Sequence, residues 1–269
     1  MDPTYTAMLA RVREKSAARG LQAPVKQSEP LDGINCSRCG GSGYVEVTEA
    51  DGHVYMAHCP SCYSKRMVVR HLRASGVNPI DYNRYTLTKF DGSRSPEASK
   101  MLAMAMKYLN SYDKETSPGL GLFGMSGMGK THLCIAVCQA ITKKFGEPHY
   151  YFPYRSVMPD LVKAAKGYSY DYDAAMEKWR TLPNVYFDDL FKMAGEIQNG
   201  HLVRLDRDEE KIMFDIINAR YINHLRTFFS SEYSIHDITV IDSALGSRIV
   251  EMIKPYGLYV EGKNQRLVG

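Results

Sequence analysis

No run of apolar residues in this sequence is long enough to cross a membrane, and the N-terminus, MDPTYTAMLARVREK, carries charge where a secretion signal needs an apolar centre. Internal repeats and low-complexity tracts are absent, so repeat arrays and fibrous architectures are set aside. Charge of either sign is not in large excess: the net charge is +4 over 269 residues. Hydrophobic residues at 44% and charged residues at 24% are ordinary for a globular protein, which excludes a wholly disordered chain. Cysteine is scarce, with six residues. Four of them form two C-x-x-C pairs, Cys36/Cys39 and Cys59/Cys62, and the other two, Cys134 and Cys138, fall one helical turn apart. That usage, with the missing signal, predicts a cytoplasmic protein.

The small positive balance is localised. Through Phe90 there are 12 lysines and arginines against 8 acidic residues, and the remainder is neutral. The excess gathers on the helix-like run Lys65-Arg66-Met67-Val68-Val69-Arg70-His71-Leu72-Arg73, which suits nucleic acid or an acidic protein surface, or else a solvated helix face. Three stretches differ in composition. Residues 1–35 read as a short helix followed by a Pro/Gln/Ser-bearing linker, and residues 36–75 hold the cysteine pairs and the basic helix, closed by Gly76-Val77-Asn78-Pro79. From residue 76 to 269, after a connector through Phe90, helices alternate with short apolar strands. Helices are predicted over 96–112, from the glycine-rich loop to 145, over 157–166, 209–224 and 243–252. Strands are predicted over 119–123, 149–152, 185–187 and 227–229, and the polar stretch 195–207 reads as a mobile connection. Such alternation predicts an α/β fold with an open, mostly parallel sheet covered by helices.

One junction in this pattern carries chemistry. The strand-like Gly119-Leu120-Gly121-Leu122-Phe123 runs into Gly124-Met125-Ser126-Gly127-Met128-Gly129-Lys130-Thr131, which fits the phosphate-loop pattern G-x-x-x-x-G-K-[ST]. Glycines let the backbone curl so that successive N–H groups face phosphate oxygens, Lys130 reaches the β and γ oxygens, and the Thr131 hydroxyl ligates Mg²⁺. A nucleoside triphosphate is the ligand expected. A second acidic motif ends a later strand, Val185-Tyr186-Phe187-Asp188-Asp189. Asp188 is placed to hold the Mg²⁺ with Thr131, and Asp189 to polarise the attacking water.

With these motifs in order, GMSGMGKTHL, FDDLF, FDIINARY leading into TFFSSE, LGSRIVEM and GKNQR, residues 76–269 resemble the AAA+ ATPases. Within them they are most similar to the bacterial and phage replicative helicase loaders of the DnaC/DnaI type. The resemblance implies a P-loop AAA+ domain with ATPase activity that depends on assembly, and it adds His132 to the nucleotide-binding residues. TFFSSE resembles the sensor-1 strand, whose end touches the γ-phosphate or the water. Many relatives have Asn there, whereas this chain has Ser230-Ser231-Glu232, so the sensing residue stays open, with Glu232 a candidate. Arg248 is similar to the arginine finger that reaches ATP on a neighbouring subunit, which implies self-association, and Arg266 is similar to the sensor-2 arginine. Asp189 stands where Glu is common in AAA+ proteins, although Asp suits the loader subgroup. With three residues after Arg266, the C-terminal DNA-binding domain of an initiator is not expected.

Nineteen residues separate the two cysteine pairs, a spacing that brings Cys36, Cys39, Cys59 and Cys62 to one tetrahedral Zn²⁺. Tyr44-Val45-Glu46-Val47 and His53-Val54-Tyr55-Met56 flank Asp51-Gly52 as two strands, giving a zinc ribbon. The first knuckle also resembles the DnaJ-type C-x-x-C-x-G-x-G unit, but a single copy does not make a chaperone. Similarity to DnaI-like loaders implies that the zinc module binds the hexameric replicative helicase. Single-stranded DNA is expected at Lys163-Ala164-Ala165-Lys166-Gly167-Tyr168-Ser169-Tyr170-Asp171-Tyr172, which interleaves cations with aromatics; a tyrosine-rich packing loop is the alternative. The expected function is ATP-dependent loading of the replicative helicase in DNA replication. The competing functions are an IstB-like transposition helper ATPase, whose relatives typically lack the zinc module, and an adaptor that binds ATP without hydrolysis.

Overall fold

The strands expected in the cysteine region pair as a hairpin in the computed structural model, which describes residues 32–167, 170–262 and 264. The chain divides into two compact units, Met1–Tyr63 and Ser64–Gly269. In the first, β1 (Tyr44–Thr48) and β2 (Val54–His58) run antiparallel, with Tyr44 opposite His58 and Thr48 opposite Val54. His53 lies in the turn instead of the second strand, because its N–H is taken by the Asp51 carboxylate (2.9 Å). Among the described residues of this unit only Gly43, Cys59 and Cys62 are buried. A hairpin so exposed has no apolar core of its own.

The basic helix, α1 (Tyr63–Ala74), runs on into the larger unit, where Leu72 packs against the core; it divides from the cysteine pairs instead of grouping with them. After it, α2 (Pro79–Arg84) starts at proline and is capped by Asn78, whose side chain accepts from the Ile80 N–H. Two single turns of 3-10 helix follow, and α3 (Pro96–Asn110) starts at another proline under a Ser95 cap.

A five-stranded sheet then forms from β3 (Leu120–Gly124), β4 (Tyr150–Pro153), β5 (Val185–Asp188), β8 (Thr227–Ser231) and β9 (Gly257–Val260), in the order β4-β5-β8-β3-β9. Every pairing in it is parallel. The helices α4 (Lys130–Phe145), α5 (Tyr154–Lys166), α6 (Tyr170–Thr181), α7 (Arg207–Ile222), α8 (Ile235–Ile241) and α9 (Ser243–Ile253) supply the crossovers. Alternation along the strands separates two apolar layers. Phe123, Phe152, Phe187 and Phe229 face one side and meet residues of α5 to α9, whereas Leu122, Tyr186 and Phe228 face the other with α3 and α4. Burial on both faces accounts for the nearly continuous apolar strands. At the sheet edge, the outward Tyr151 N–H donates to the Ser75 carbonyl (2.8 Å).

Residues 195–207 are ordered instead of forming a mobile connection. β6 (Gly195–Gln198) and β7 (His201–Leu205) make an antiparallel hairpin around Asn199 and Gly200, both with positive φ (51° and 83°). These are the residues and angles of a type I′ turn, and Leu202 and Leu205 anchor the ribbon in the core. The helices α6 and α8 and the strand β9 are further elements beyond those expected from sequence.

Candidate functional site

β3 lies between β8 and β9, while the chain leaves it for the far edge of the sheet; the carboxyl ends at this reversal of order leave room for a ligand. Gly124 ends the strand with φ of 120°, and a Cβ there would lie 1.8 Å from the Val260 carbonyl oxygen. A larger residue would force the last strand away from the loop. Gly129 opens α4 in the left-handed region (φ 95°), where any side chain would also strike the Arg94 guanidinium. Met128 is buried and anchors the loop.

Lys130 donates to the carbonyls of Gly124 (2.6 Å) and Met125 (2.8 Å), so its ammonium lies inside the loop. Burial pushes its pKa down to about 8, against the pull of Asp189 and Glu232. The loop borders a cavity of about 210 Å³, lined by Ser126, Gly127, Gly129, Lys130, Thr131 and His132, and on the other sides by Arg84, Tyr85, Arg94, Asp189 and Lys192. Four cationic side chains against one carboxylate make it a receptacle for a polyanion. His132 turns its ring toward the connector, with Nε2 2.8 Å from the Thr86 carbonyl, and burial lowers its pKa.

Asp188 is the hub of the acidic side. Its Oδ1 accepts from Thr131 Oγ1 (2.8 Å), from Ser230 Oγ (2.7 Å) and from the Tyr186 hydroxyl, and its Oδ2 accepts from the Tyr151 hydroxyl (2.7 Å). Burial and then the adjacent carboxylate raise the pKa of both tyrosines, keeping them as donors. Thr131 and Asp188 thus present two hard oxygens side by side, a donor set that fits Mg²⁺, which usually takes few protein ligands.

Asp189 has φ of 55°. Its Oδ2 accepts from Lys192 Nζ (2.9 Å), which also donates to Glu232 Oε1 (2.7 Å). Burial would raise the Glu232 carboxyl, but hydrogen bonds from Lys192 and Ser126 prevail and hold it below its usual range. The fold therefore brings Lys130, Thr131, Asp188, Asp189 and Glu232 to one place. Arg84, Tyr85, Arg94 and Lys192 are site residues that sequence reasoning missed. Arg94 donates to the Met128 carbonyl (2.7 Å), a contact no local pattern encodes.

Arg248 is not among the residues lining the cavity. It donates to Asn218 Oδ1 (2.9 Å) and the Ala244 carbonyl (2.8 Å) and lies over the rings of Phe214 and Tyr221. Arg266 lies outside the described residues, although Asn264 reaches the loop: a Cβ on Gly127 would lie 1.8 Å from its Oδ1. Lys166 pairs with Asp208 (2.8 Å), while Tyr168 and Ser169 lie outside the described residues.

In the smaller unit the sulfurs of Cys36, Cys39, Cys59 and Cys62 all lie within 4.8 Å of one another. Cys36 to Cys59 and Cys39 to Cys62 measure 3.8 Å. A tetrahedron with Zn–S bonds of about 2.3 Å has edges of about 3.8 Å, so the four thiols fit zinc. The Gly43 N–H points at Cys39 Sγ (3.3 Å), the orienting contact expected around a ligand. Cys134 and Cys138 are fully buried in α4, and burial raises both thiols as inert packing groups.

No family model matches the chain. It is 31% identical over 217 residues to the uncharacterised protein YqaM of Bacillus subtilis, across 79% of this chain and 66% of that protein, just under two thirds of the relative's length. To the phage-like element PBSX protein XkdC of the same organism it is 29% identical over 246 residues, 87% of each. Among solved structures, the DnaC helicase loader superposes with a TM-score of 0.53 at 23% identity, over 67% of this chain and 98% of that one. DnaI gives 0.51 at 20% identity over 70% and 94%. AMPPCP-bound DnaA from Aquifex aeolicus gives 0.51 at 19% over 71% and 53%. The larger unit therefore has the fold of the DnaC and DnaI helicase loaders and of DnaA.

Proposed function

We propose that the chain is an ATP-dependent loader of a hexameric replicative DNA helicase. The observation that carries this reading is the Thr131–Asp188 contact beside Lys130, at the mouth of a cationic cavity in a fold of the loader type. Lys130 and the loop N–H groups bind the phosphates of ATP, Thr131 and Asp188 hold Mg²⁺, and Asp189 and Glu232 flank the position of the attacking water. The metal supplies charge neutralisation between the phosphate oxygens. Arg248, outside its own cavity, serves the site of a neighbouring subunit as an arginine finger, leaving Asn218 to do so. Zinc on the four cysteines holds a module that contacts the helicase. Lys163 and the tyrosine-bearing stretch after it contact single-stranded DNA. The work is done in the cytoplasm.

Phosphate release by the full chain, with Lys130→Ala and Arg248→Ala as controls, tests the enzyme. Both variants are expected to lose most of the activity; equal release by wild type and Lys130→Ala would end the ATPase reading. Gel filtration with a hexameric replicative helicase tests the loader. Co-elution is expected, and is expected to be lost in Cys36→Ser/Cys59→Ser; no co-elution with ATP, ADP or neither refutes loading.

A further inference from the structure

The end of β8 raises a question of chemistry. Sensing a γ-phosphate needs a hydrogen-bond donor aimed at it, and this strand ends in Ser230, Ser231 and Glu232. Ser230 spends its proton on Asp188 (2.7 Å) and Ser231 spends its own on the Leu190 carbonyl (2.8 Å). Glu232, ionised, has no proton to give. What Glu232 does hold is Lys192, whose ammonium lines the phosphate cavity and bridges Glu232 (2.7 Å) to Asp189 (2.9 Å).

Three observations aim this lysine at a ligand. It stands on the acidic-motif side of the cavity, near the Thr131–Asp188 pair that would hold a metal with the phosphates of a bound nucleotide. An ammonium has three donors, and the two carboxylates take two of them. The backbone on either side is held in an unusual conformation: Asp189, Phe191 and Met193 all have positive φ (55°, 64° and 63°). Each such residue costs about 1–3 kcal/mol, a cost characteristic of functional segments. Turn hydrogen bonds from Lys192 N–H to the Asp189 carbonyl and from Ala194 N–H to the Phe191 carbonyl maintain it.

We propose that Lys192 is the γ-phosphate sensor of this site and the residue that distinguishes ATP from ADP, with Glu232 acting through it as a positioning residue. The remaining proton of the ammonium binds a γ-phosphate oxygen while its two carboxylate contacts keep Asp189 beside the water. Lys130 serves the phosphates from the loop side, Arg94 is taken by the Met128 carbonyl and Arg84 lies over the Tyr85 ring, which leaves Lys192 as the cation on the acidic-motif side. Burial opposes a charge at Lys192, but the two carboxylate hydrogen bonds prevail and keep it protonated.

This inference rests on the nucleotide reading, and the experiment separates the two. The full chain, with Mg²⁺, is titrated calorimetrically with ADP and with a non-hydrolysable ATP analogue, as wild type, Lys192→Met and Lys192→Arg. Wild type is expected to prefer the analogue. Loss of one charged hydrogen bond is expected to weaken Lys192→Met for the analogue about tenfold or more while its ADP affinity stays. Lys192→Arg, which keeps a cation, is expected to retain most of the preference and guards against misfolding of the Met variant. A wild-type analogue-to-ADP ratio in Lys192→Met, or equal losses for both nucleotides, overturns the sensor. Wild type that binds neither nucleotide overturns the nucleotide reading, and this proposal with it.

Discussion

Lys130 makes the cost of readiness visible at a single residue. Its ammonium is buried on two carbonyl oxygens with a pKa of about 8, below the ordinary lysine value. Between that pH and the unfolded value the unfolded chain binds more protons, so this group's penalty to the fold is complete below about pH 8 and relieved as pH rises. Phosphate binding has the opposite sign, because an anion needs the charged form. Affinity for ATP is therefore expected to be full below about pH 8 and to fall as pH rises past it; equal affinities at about pH 7 and about pH 9.5 would contradict this. The clustering of Lys130, Thr131 and Asp188, and of the four cysteines, follows from local spacing and was legible in the sequence. Lys192, Arg84 and Arg94 were not, since their place in the cavity depends on how a connector and a turn fold back. Arg220 shows the same limit inside the core. It is fully buried in α7, where Thr227 Oγ1 and the carbonyls of Trp179, Leu182 and Arg226 satisfy its guanidinium. No pattern in one chain announces that.

At the scale of elements, the hairpin of β6 and β7 is instructive. Its turn pair, Asn199-Gly200, is a short-range signal that a reading by polarity passes over. Gly200 has open space around its missing Cβ, so only its φ of 83° resists substitution. Gly200→Ala is accordingly expected to destabilise the larger unit by about 1–2 kcal/mol, with phosphate release unaltered at a permissive temperature. Thermal melting checks this; an unchanged midpoint would mean that the turn is not held in the left-handed region. Four of the five parallel strands, and the helices between strands other than α6 and α8, were legible because buried apolar runs and amphipathic periods are strong signals. β9 was missed for the converse reason: four residues at a sheet edge, half exposed, carry little pattern.

For the molecule as a whole, the two units draw stability from different sources. The larger has two apolar layers around a sheet, and the smaller exposes nearly all of its hairpin and clusters four thiols. Zinc on the proposed site would then supply most of the folding free energy of the smaller unit. A strong chelator is expected to remove about one zinc ion per chain and to open residues 32–63 to protease, while emission from Trp179, the only tryptophan, stays that of the folded larger unit. Cleavage within residues 32–63 that is equal before and after chelation would remove zinc as the organiser.

The Ser75 carbonyl on the outward Tyr151 N–H has a consequence for solubility. An uncovered parallel edge is a template on which further chains can add strands, and here the chain's own backbone occupies one rung of it. A truncation ending at Tyr63 leaves that rung in place, whereas one that also removes Ser75 exposes β4 as a seed for polymerisation. Anyone trimming the protein to its larger unit should expect the second version to precipitate, for a reason that has nothing to do with nucleotide binding.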